Sequence, residues 1–186
     1  SVASGASLLV TDEYPVFSMK ERNETLPEEL SVPYISVDSN GLIPLGLREK
    51  DPYNAYFFRK IMQKHFIEAY THPPKQNPLD ELKNRNRVQL PKDLFQGLPD
   101  AKDALSDIPS AISGIDTNHD IKPIDWQGTR SAGLGMLGHF VRDGLLQYDE
   151  KRNDPDEKKT SQLSPWLHFG KISSYEAVKA VLDHQP

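Results

Sequence analysis

Prolines divide this sequence into two regions of different character. Seven of the 15 prolines lie within 71–123, at positions 73, 74, 78, 91, 99, 109 and 123. Because proline lacks a backbone N–H and disfavours helix in the preceding residue, only short helical patches fit there, such as Leu79–Lys83 and Ala101–Ile108. Such a long stretch with so little regular structure is uncommon inside one compact domain. It predicts an interdomain linker over 71–124, with a domain on either side.

The residues before the linker have the pattern of alternating strand and helix. Two apolar runs of strand length, Ser7–Asp12 and Val32–Asp38, flank the helix-compatible stretch Pro15–Leu30. Strand, helix and strand in this order are typical of a parallel α/β sheet. We therefore expect residues 1–70 to belong to an α/β domain.

A longer helix is predicted after the second strand. Asp51 is suited to cap this helix, Pro52 fits its first position, and the pattern ends near Tyr70. Its apolar residues recur at steps of three and four, which predicts a stripe packed into the core. The stripe comprises Tyr53, Phe57, Phe58, Ile61, Met62 and Phe66.

Residues 125–186 have the periodicity of helices. One face of the first predicted helix carries Gly133, Leu137, Val141, Leu145 and Tyr148. A second helix is predicted from Ser164 or Pro165 to a stop at Gly170, and a third from about Ser173 to Leu182. The fold class expected for the chain is therefore α/β plus all-α.

Composition excludes several classes of protein. The chain has no cysteine, so disulfides, thiolate metal sites and a cysteine nucleophile are excluded, and its histidines lack the spacing of a metal site. Its apolar runs fall well short of the roughly 18 to 20 residues that a membrane span requires, so no membrane association is predicted. The net charge is −5, opposite to the basic footprint of a complete nucleic-acid-binding protein. If DNA is the partner, most of the positive surface lies elsewhere.

Three glycines match the spacing of a dinucleotide-binding loop. Gly133, Gly135 and Gly138 fit the pattern G-x-G-x-x-G, but that loop requires a strand directly before the glycines. The preceding residues, Asp125–Arg130, do not form a strand pattern, and helical periodicity continues through the glycines. Close packing of two helices explains them better.

The residues most suited to chemistry lie before the second helix of this region. Thr160, Ser161 and Ser164 place three hydroxyls beside a predicted helix start, where free backbone N–H groups and the helix dipole attract anions. A phosphate or pyrophosphate fits such a place. The alternative is that Ser161 or Ser164 only caps the helix, as serine commonly does.

The order of motifs in this region resembles the flavin-binding segment of the photolyase and cryptochrome family. The resemblance is carried by Tyr148, by the run Arg152-Asn153-Asp154-Pro155 and by Thr160-Ser161-Gln162-Leu163-Ser164-Pro165-Trp166-Leu167-His168-Phe169-Gly170. The amino-acid sequence of these motifs is most similar to that of class II cyclobutane pyrimidine dimer photolyases. Earlier segments of the chain also resemble segments of that family and occur in the same order, including Leu9-Val10-Thr11-Asp12 and Trp126-Gln127-Gly128.

The resemblance implies an architecture, a cofactor and a set of site residues. It implies the end of an antenna-type α/β domain, a long linker, and the start of a helical domain that binds FAD. Arg152 and Asn153 would lie near the flavin and the damaged bases, Trp166 is expected to pack in the core, and the role of His168 is left open. The residues implied to bind FAD are Tyr148, Thr160, Ser161, Gln162, Leu163 and Ser164.

The activity implied is light-driven repair of cyclobutane pyrimidine dimers in DNA by electron transfer from reduced FAD. The flavin carries this chemistry, so no catalytic side chain is predicted in the chain. An antenna chromophore of the deazaflavin or folate type is also implied, in a monomeric, intracellular protein, cytoplasmic or nuclear. Much of the flavin and dimer pockets would follow Pro186, so this chain alone is expected to be inactive and to be the middle part of a larger protein.

Two alternatives remain open on the sequence. A cryptochrome-like blue-light receptor would have the same FAD site without repair activity. A noncatalytic interaction module would use the residues Thr160 to Ser164 only to cap a helix.

Overall fold

The computed structural model describes most of the chain, namely residues 5–47, 51–81, 92–98, 100–122, 124–157 and 159–184. These residues belong to two compact units, one spanning Leu79–Trp126 and the other combining Ala3–Pro78 with Gln127–Pro186. Three prolines of the predicted linker, Pro91, Pro99 and Pro123, lie outside the described residues. The domain boundaries at residues 70 and 124 stay a prediction. The secondary structure is rich in helix with a small parallel sheet, as expected in outline.

The small sheet has two parallel strands. Strand β1 (Leu9–Asp12) pairs with β2 (Tyr34–Val37), and helix α1 (Phe17–Glu29) connects them, which confirms the predicted order. Both strands are shorter than predicted. At the end of β2 the Asp38 carboxylate accepts hydrogen bonds from the backbone N–H groups of Asn40 and Leu45, which turns the chain out of the strand.

Helix α2 spans Ala55–Thr71, so its predicted start at Asp51 and Pro52 is wrong. The Asn54 side chain caps it instead, because its oxygen accepts from the N–H groups of Tyr56 and Phe57 at 3.1 and 3.2 Å. The predicted core stripe is also wrong in part. Tyr53 is 93% exposed and Phe57 and Phe58 are also exposed, whereas Ile61, Met62 and Phe66 are half-buried.

The unit that spans Leu79–Trp126 contains two short helices, α3 (Ala101–Ser106) and α4 (Ile108–Ser113). Asp100 caps the first through Lys102 N–H at 2.8 Å, and Asp107 caps the second through Ser110 N–H at 3.2 Å. These short elements agree with the helical patches that the proline pattern permits. Among the residues described, no helix has the length and apolar character needed to cross a membrane.

The long helical segment of the last third changes its winding. Helix α5 (Arg130–His139) begins at the Thr129 cap and runs into a π-helical turn, Phe140–Gly144, called the π-turn below. A 3-10 turn and helix α6 (Tyr148–Lys151) follow. The predicted continuous helical face is therefore confirmed only up to the π-turn.

Two further helices complete the described chain. Helix α7 (Ser164–His168) ends before Gly170, whose φ of +60° stops the helix as predicted. Helix α8 (Ser174–Asp183) begins at Ser173, which forms a capping box with Glu176. A small core of four buried apolar side chains joins α5, α7 and the residues flanking α7: Leu137, Leu163, Trp166 and Ile172.

The predicted close packing of helices occurs at one of the three glycines. A Cβ on Gly133 would lie 2.8 Å from the ring of Trp166, so α7 crosses α5 where a side chain is missing. Trp166 is 5% exposed, and its indole N–H donates to the Gln127 carbonyl at 3.1 Å, which confirms the expected packing role. Gly135 and Gly138 have nothing within 4 Å of the corresponding positions, so the prediction is wrong for them among the residues described.

Gly133→Ala should lower the free energy of unfolding by about 1–3 kcal/mol, because the new methyl group would overlap a buried indole. The matched control is Gly135→Ala in the same helix, where the open space and the better helix propensity of alanine should raise stability by roughly 0.5–1 kcal/mol. Urea denaturation of the full-length protein, followed by tryptophan fluorescence, measures both changes. Equal effects of the two substitutions would contradict the close contact.

An ion pair joins the start of α5 to the start of α8. Arg130 donates from Nη1 to Glu176 at 3.1 Å and to the Lys171 carbonyl at 3.2 Å, while its Nη2 contacts the other carboxylate oxygen. The Arg130 hydrogen bond, together with those from Ser173, lowers the pKa of Glu176 to about 2. The pair therefore holds two helix ends together while completing the cap of α8.

Glu176→Gln should remove the charge of this pair while keeping the capping box, since glutamine can also occupy that position. Because the folded-state pKa is lowered, the stabilisation is present above pH 4.5 or so and is lost as the pH falls towards 2. Solvent screening limits it to about 0.5–1 kcal/mol. Urea denaturation should show the wild-type protein more stable than the variant at pH 7 and the difference vanishing near pH 2, and a pH-independent difference would contradict the ion pair.

Candidate functional site

A closed loop leads the chain from α6 to the predicted hydroxyl cluster. Lys151 forms an ion pair with Glu157 at 2.8 Å, which raises the pKa of the Lys151 ammonium. Inside the loop, the Asp154 carboxylate accepts the N–H of Asp156 at 3.0 Å. These contacts fix how the chain returns towards Thr160.

The turn before α7 has an uncommon backbone conformation. Gln162 has a φ of 52°, a left-handed value that costs a residue with a side chain roughly 1–2 kcal/mol. The next residue, Leu163, is 4% exposed and packs against Leu137, Trp166 and Ile172. Burial of Leu163 therefore holds the turn in place, and Gln162 takes up the change in chain direction. Such strained residues cluster at functional sites.

The polar side chains of this turn have no internal partners. Within the described part of the chain, Thr160, Ser161, Gln162 and Ser164 make no side-chain hydrogen bond, although Ser161 and Gln162 are half-buried. Residue Leu163 occupies the N-cap position of α7, where no side-chain cap bond forms. The capping alternative for Ser161 and Ser164 is therefore wrong, because the turn places Leu163, and not a serine, at the helix start.

The turn forms one side of a groove with a volume of about 300 Å³, called the turn groove below. Lys159, Thr160, Ser161 and Gln162 line it on one side. The other side is formed by α5 and the π-turn, through Met136, His139, Phe140, Asp143 and Gly144. The structure therefore brings three of the predicted site residues together on one surface.

The π-turn shapes the opposite side of this groove. Phe140 is 8% exposed, and a Cβ on Gly144 would lie 2.9 Å from its ring, so the glycine permits the wider winding. On the outer side, Asp143 accepts from His139 Nδ1 at 2.9 Å and contacts Arg142 at 3.0 Å. π-helical turns inside α-helices occur frequently at functional sites.

Four of the predicted residues, Tyr148, Arg152, Asn153 and the exposed Ser164, line neither the turn groove nor its apolar neighbour described below. Tyr148 is half-buried and meets the Phe140 ring edge to face, with 5.6 Å between ring centroids. The Arg152 guanidinium lies 5.6 Å from the Tyr148 ring centroid, and Asn153 is exposed on the loop. Tyr148 therefore supports the groove through its contact with Phe140. Arg152 and Asn153 do not line a surface together with the residues of the turn.

A second, apolar groove of about 260 Å³ adjoins the first. It shares Phe140 and Ser161 with the turn groove and is otherwise lined by apolar side chains. The predicted residue Leu163 lines it together with Leu167 of α7 and the α8 residues Val178, Val181 and Leu182. Ser161 therefore stands where a polar surface meets an apolar one.

Three groove residues were missed on the sequence, namely His139, Asp143 and Lys159. A signal existed for the first two, since residues four apart on a helix are neighbours and His139 with Asp143 has that spacing. Lys159 directly precedes Thr160 and Ser161 in the sequence, so a positive charge next to these hydroxyls could also have been predicted. Their place opposite the turn depends on the π-turn, which the helical periodicity did not indicate.

The chemistry of the turn groove suits an anion. Hydroxyl groups and a primary amide can donate hydrogen bonds, and a lysine adds a positive charge. Helix α7 has only five residues, so the expected contribution of its dipole is small and the polar side chains carry the argument. The side chains present can therefore hold a small anion such as a phosphate group, with the one carboxylate of the lining, Asp143, bound by His139 and Arg142.

Comparison with known proteins finds relatives named deoxyribodipyrimidine photo-lyase in several organisms. A deoxyribodipyrimidine photo-lyase of Methanothermobacter thermautotrophicus is 29% identical over 180 residues, which cover 96% of this chain and 37% of the relative. The protein of the same name from Potorous tridactylus is 27% identical, with coverage of 97% and 32%. That of Oryza sativa subsp. japonica is 27% identical, with coverage of 91% and 33%. The chain spans about a third of the length of these curated relatives.

No family model matches the sequence. The relatives nevertheless align over more than nine-tenths of the chain, including the segment from Tyr148 to Gly170 on which the motif resemblance rests. The resemblance noted from those motifs is thus confirmed by independent similarity across the whole chain. Over more than nine-tenths of its length the chain is thus similar to proteins named deoxyribodipyrimidine photo-lyase, which supports its identification as a fragment of that family.

Proposed function

We propose that the full-length protein repairs cyclobutane pyrimidine dimers in DNA, driven by light, with reduced FAD as its cofactor. Within that protein, this chain contributes part of the FAD site. The relatives named deoxyribodipyrimidine photo-lyase support repair as the activity. The sequence of the motifs between Tyr148 and Gly170 supports an enzyme similar to the class II photolyases.

One observation carries the proposal for FAD. The turn brings the hydroxyls of Thr160 and Ser161 and the amide of Gln162 to one groove, and these groups make no side-chain hydrogen bond among the described residues, so they are available to a ligand. A pyrophosphate supplies the acceptors that such donors require. We therefore assign the ligand phosphates to the turn groove.

The residues of the turn have distinct roles in this proposal. Thr160 and Ser161 donate hydroxyl hydrogen bonds in the groove, Gln162 donates its amide, Leu163 anchors the turn in the core, and the exposed Ser164 hydroxyl lies next to the groove at the start of α7. Tyr148 holds the groove through its contact with Phe140. When bound, reduced FAD supplies the electron that opens the cyclobutane ring after light absorption.

The DNA partner and the antenna are less closely tied to this chain. Arg152 and Asn153 are exposed and available to a partner, and we propose that they face the damaged bases. A flipped-out dimer is the form that such an enzyme binds. The antenna chromophore stays a prediction.

Replacing both Ser161 and Ser164 by alanine should weaken FAD retention by about tenfold, because the groove loses the Ser161 hydroxyl as a hydrogen-bond donor to a charged ligand. The apoprotein should keep its melting temperature, because neither hydroxyl caps α7. Flavin absorbance near 370 and 450 nm, roughly the bands of any bound flavin, measures retention.

The matched control is the double variant Ser31→Ala, Ser36→Ala, which removes two exposed hydroxyls from the α/β region. It should leave both quantities unchanged. A loss of thermal stability in the Ser161 and Ser164 variant as large as its loss of FAD would indicate a structural role instead. Absence of flavin from the purified wild-type protein, even after incubation with FAD, would contradict the FAD site.

Under blue light, the reduced full-length protein should restore a dimer-containing oligonucleotide to unmodified pyrimidines, and it should not do so in the dark. Chromatography of the oligonucleotide before and after illumination measures the repair. Stoichiometric FAD without repair would contradict the repair function and favour a cryptochrome-like receptor.

A further inference from the structure

The loop after β2 contains a pair of residues suited to a spontaneous chemical change. Asn40 is followed directly by Gly41, and the backbone nitrogen after an asparagine reaches its side-chain amide most easily when the next residue has no Cβ. We propose that Asn40 is a site of spontaneous deamidation, and that the modification releases the carboxyl ends of β1 and β2 from each other. The inference goes beyond the function proposed above and does not depend on it.

The reaction requires water and no other reagent. The Gly41 backbone nitrogen attacks the side-chain carbonyl carbon of Asn40, a C–N bond forms, and the side-chain nitrogen leaves as ammonia with the proton of the Gly41 N–H. Water then opens the resulting cyclic imide at one of its carbonyl groups, which leaves aspartate or isoaspartate in place of the asparagine. Both products carry a carboxylate and lack the side-chain N–H donors of asparagine.

The structure leaves the reacting groups accessible. Asn40 and Gly41 are exposed, and the Gly41 N–H donates no hydrogen bond within the described part of the chain. Apart from its chain neighbours, the atom nearest to the position of a Cβ on Gly41 is the Ile43 carbonyl oxygen at 3.7 Å, so the surroundings of the nucleophile are open. The hydrogen bonds of the Asn40 side chain lie at the surface, where water competes for the same groups, so they can open without unfolding of the domain.

The Asn40 side chain joins the ends of the two strands. Its Nδ2 donates to the carbonyl of Glu13, which directly follows β1, and, at 3.2 Å, to the carboxylate of Asp38, which directly follows β2. At the same end of the sheet, the Glu13 N–H donates to the Val37 carbonyl at 2.8 Å. The Asn40 amide therefore closes the carboxyl end of the parallel pair.

Deamidation would replace this attraction by repulsion. The new carboxylate has no proton to donate to the Glu13 carbonyl, and it lies close to the Asp38 carboxylate, which carries the same charge. Asp38 also accepts the backbone N–H groups of Asn40 and Leu45, so the loop 40–45 is disturbed together with the strands. That loop forms one wall of an apolar groove of about 280 Å³, and α2 forms the other wall. The modification therefore affects the packing of the loop on α2 as well as the sheet.

Incubation of the full-length protein at neutral pH, followed by mass spectrometry of its peptides, measures deamidation as a mass gain of about 1 Da. Asn40 should react about tenfold faster than Asn153, an exposed asparagine followed by aspartate, because glycine leaves the nucleophile unhindered. Asn77 should not react by this route, since the next residue, Pro78, has no N–H. Gly41→Ala should slow the reaction at Asn40 to about the rate of Asn153, and the open space accepts the alanine methyl group.

The variant Asn40→Asp reproduces one product and tests its effect on the sheet. Hydrogen exchange in the peptide that contains Glu13, measured by mass spectrometry of the full-length protein, should be about tenfold faster than in the wild type, because the amide that closes this end is lost. The matched control is Asn77→Asp, which makes the same charge change at an exposed asparagine outside the sheet. It should leave exchange in this peptide unchanged.

Each measurement has a result that would overturn the inference. If Asn40 in the intact protein reacts no faster than Asn153, it is not a deamidation site. If Asn40→Asp exchanges in the Glu13 peptide as Asn77→Asp does, the modification does not release the strands. Circular dichroism of the variants verifies that the helices are intact, so that faster exchange in this peptide is a local effect. Neither result changes what is expected for FAD uptake or repair, so failure of this inference is distinguished from failure of the proposed function.

Discussion

The contact between Gly133 and Trp166 brings α7 against α5, and the candidate site lies next to that crossing. Because Gly133 has no side chain, the indole of α7 packs directly on the backbone of α5. The indole N–H is satisfied by the Gln127 carbonyl, so the buried ring leaves no unpaired donor there. With α7 fixed against α5, the turn that precedes α7 comes to lie opposite the π-turn that follows α5. The groove is a consequence of that crossing.

The two ends of the crossing are held by different interactions. Arg130 and Glu176 join the starts of α5 and α8 by an exposed ion pair, which contributes little free energy but restricts the relative placement of the helices. At the groove, burial of Leu163 and Phe140 holds the turn and the π-turn. Apolar packing therefore supplies the stability here, and the polar groups of the groove are left available for a ligand.

Local signals predicted much of the fold but not the details of the site. The strand order and the helix stop at Gly170 follow from alternation and from a residue that tolerates positive φ. The predicted start of α2 was wrong because Asn54, and not Asp51, caps the helix. The Asn54 side chain accepts hydrogen bonds from two backbone N–H groups of the first turn, and the sequence pattern does not show which of the two residues reaches them. The π-turn depends on how Phe140 packs, and this is a tertiary effect that helical periodicity does not contain.

The candidate site was predicted better in its chemistry than in its geometry. Two hydroxyls of the predicted cluster, those of Thr160 and Ser161, line the turn groove, whereas the helix terminus that was expected to attract an anion contributes less than expected because α7 is so short. The left-handed Gln162 costs the folded chain free energy, which the burial of the neighbouring Leu163 offsets. A ligand that binds only the folded form shifts the equilibrium towards it. An anion that binds in the groove of the folded form would therefore add to the free energy of unfolding of the protein.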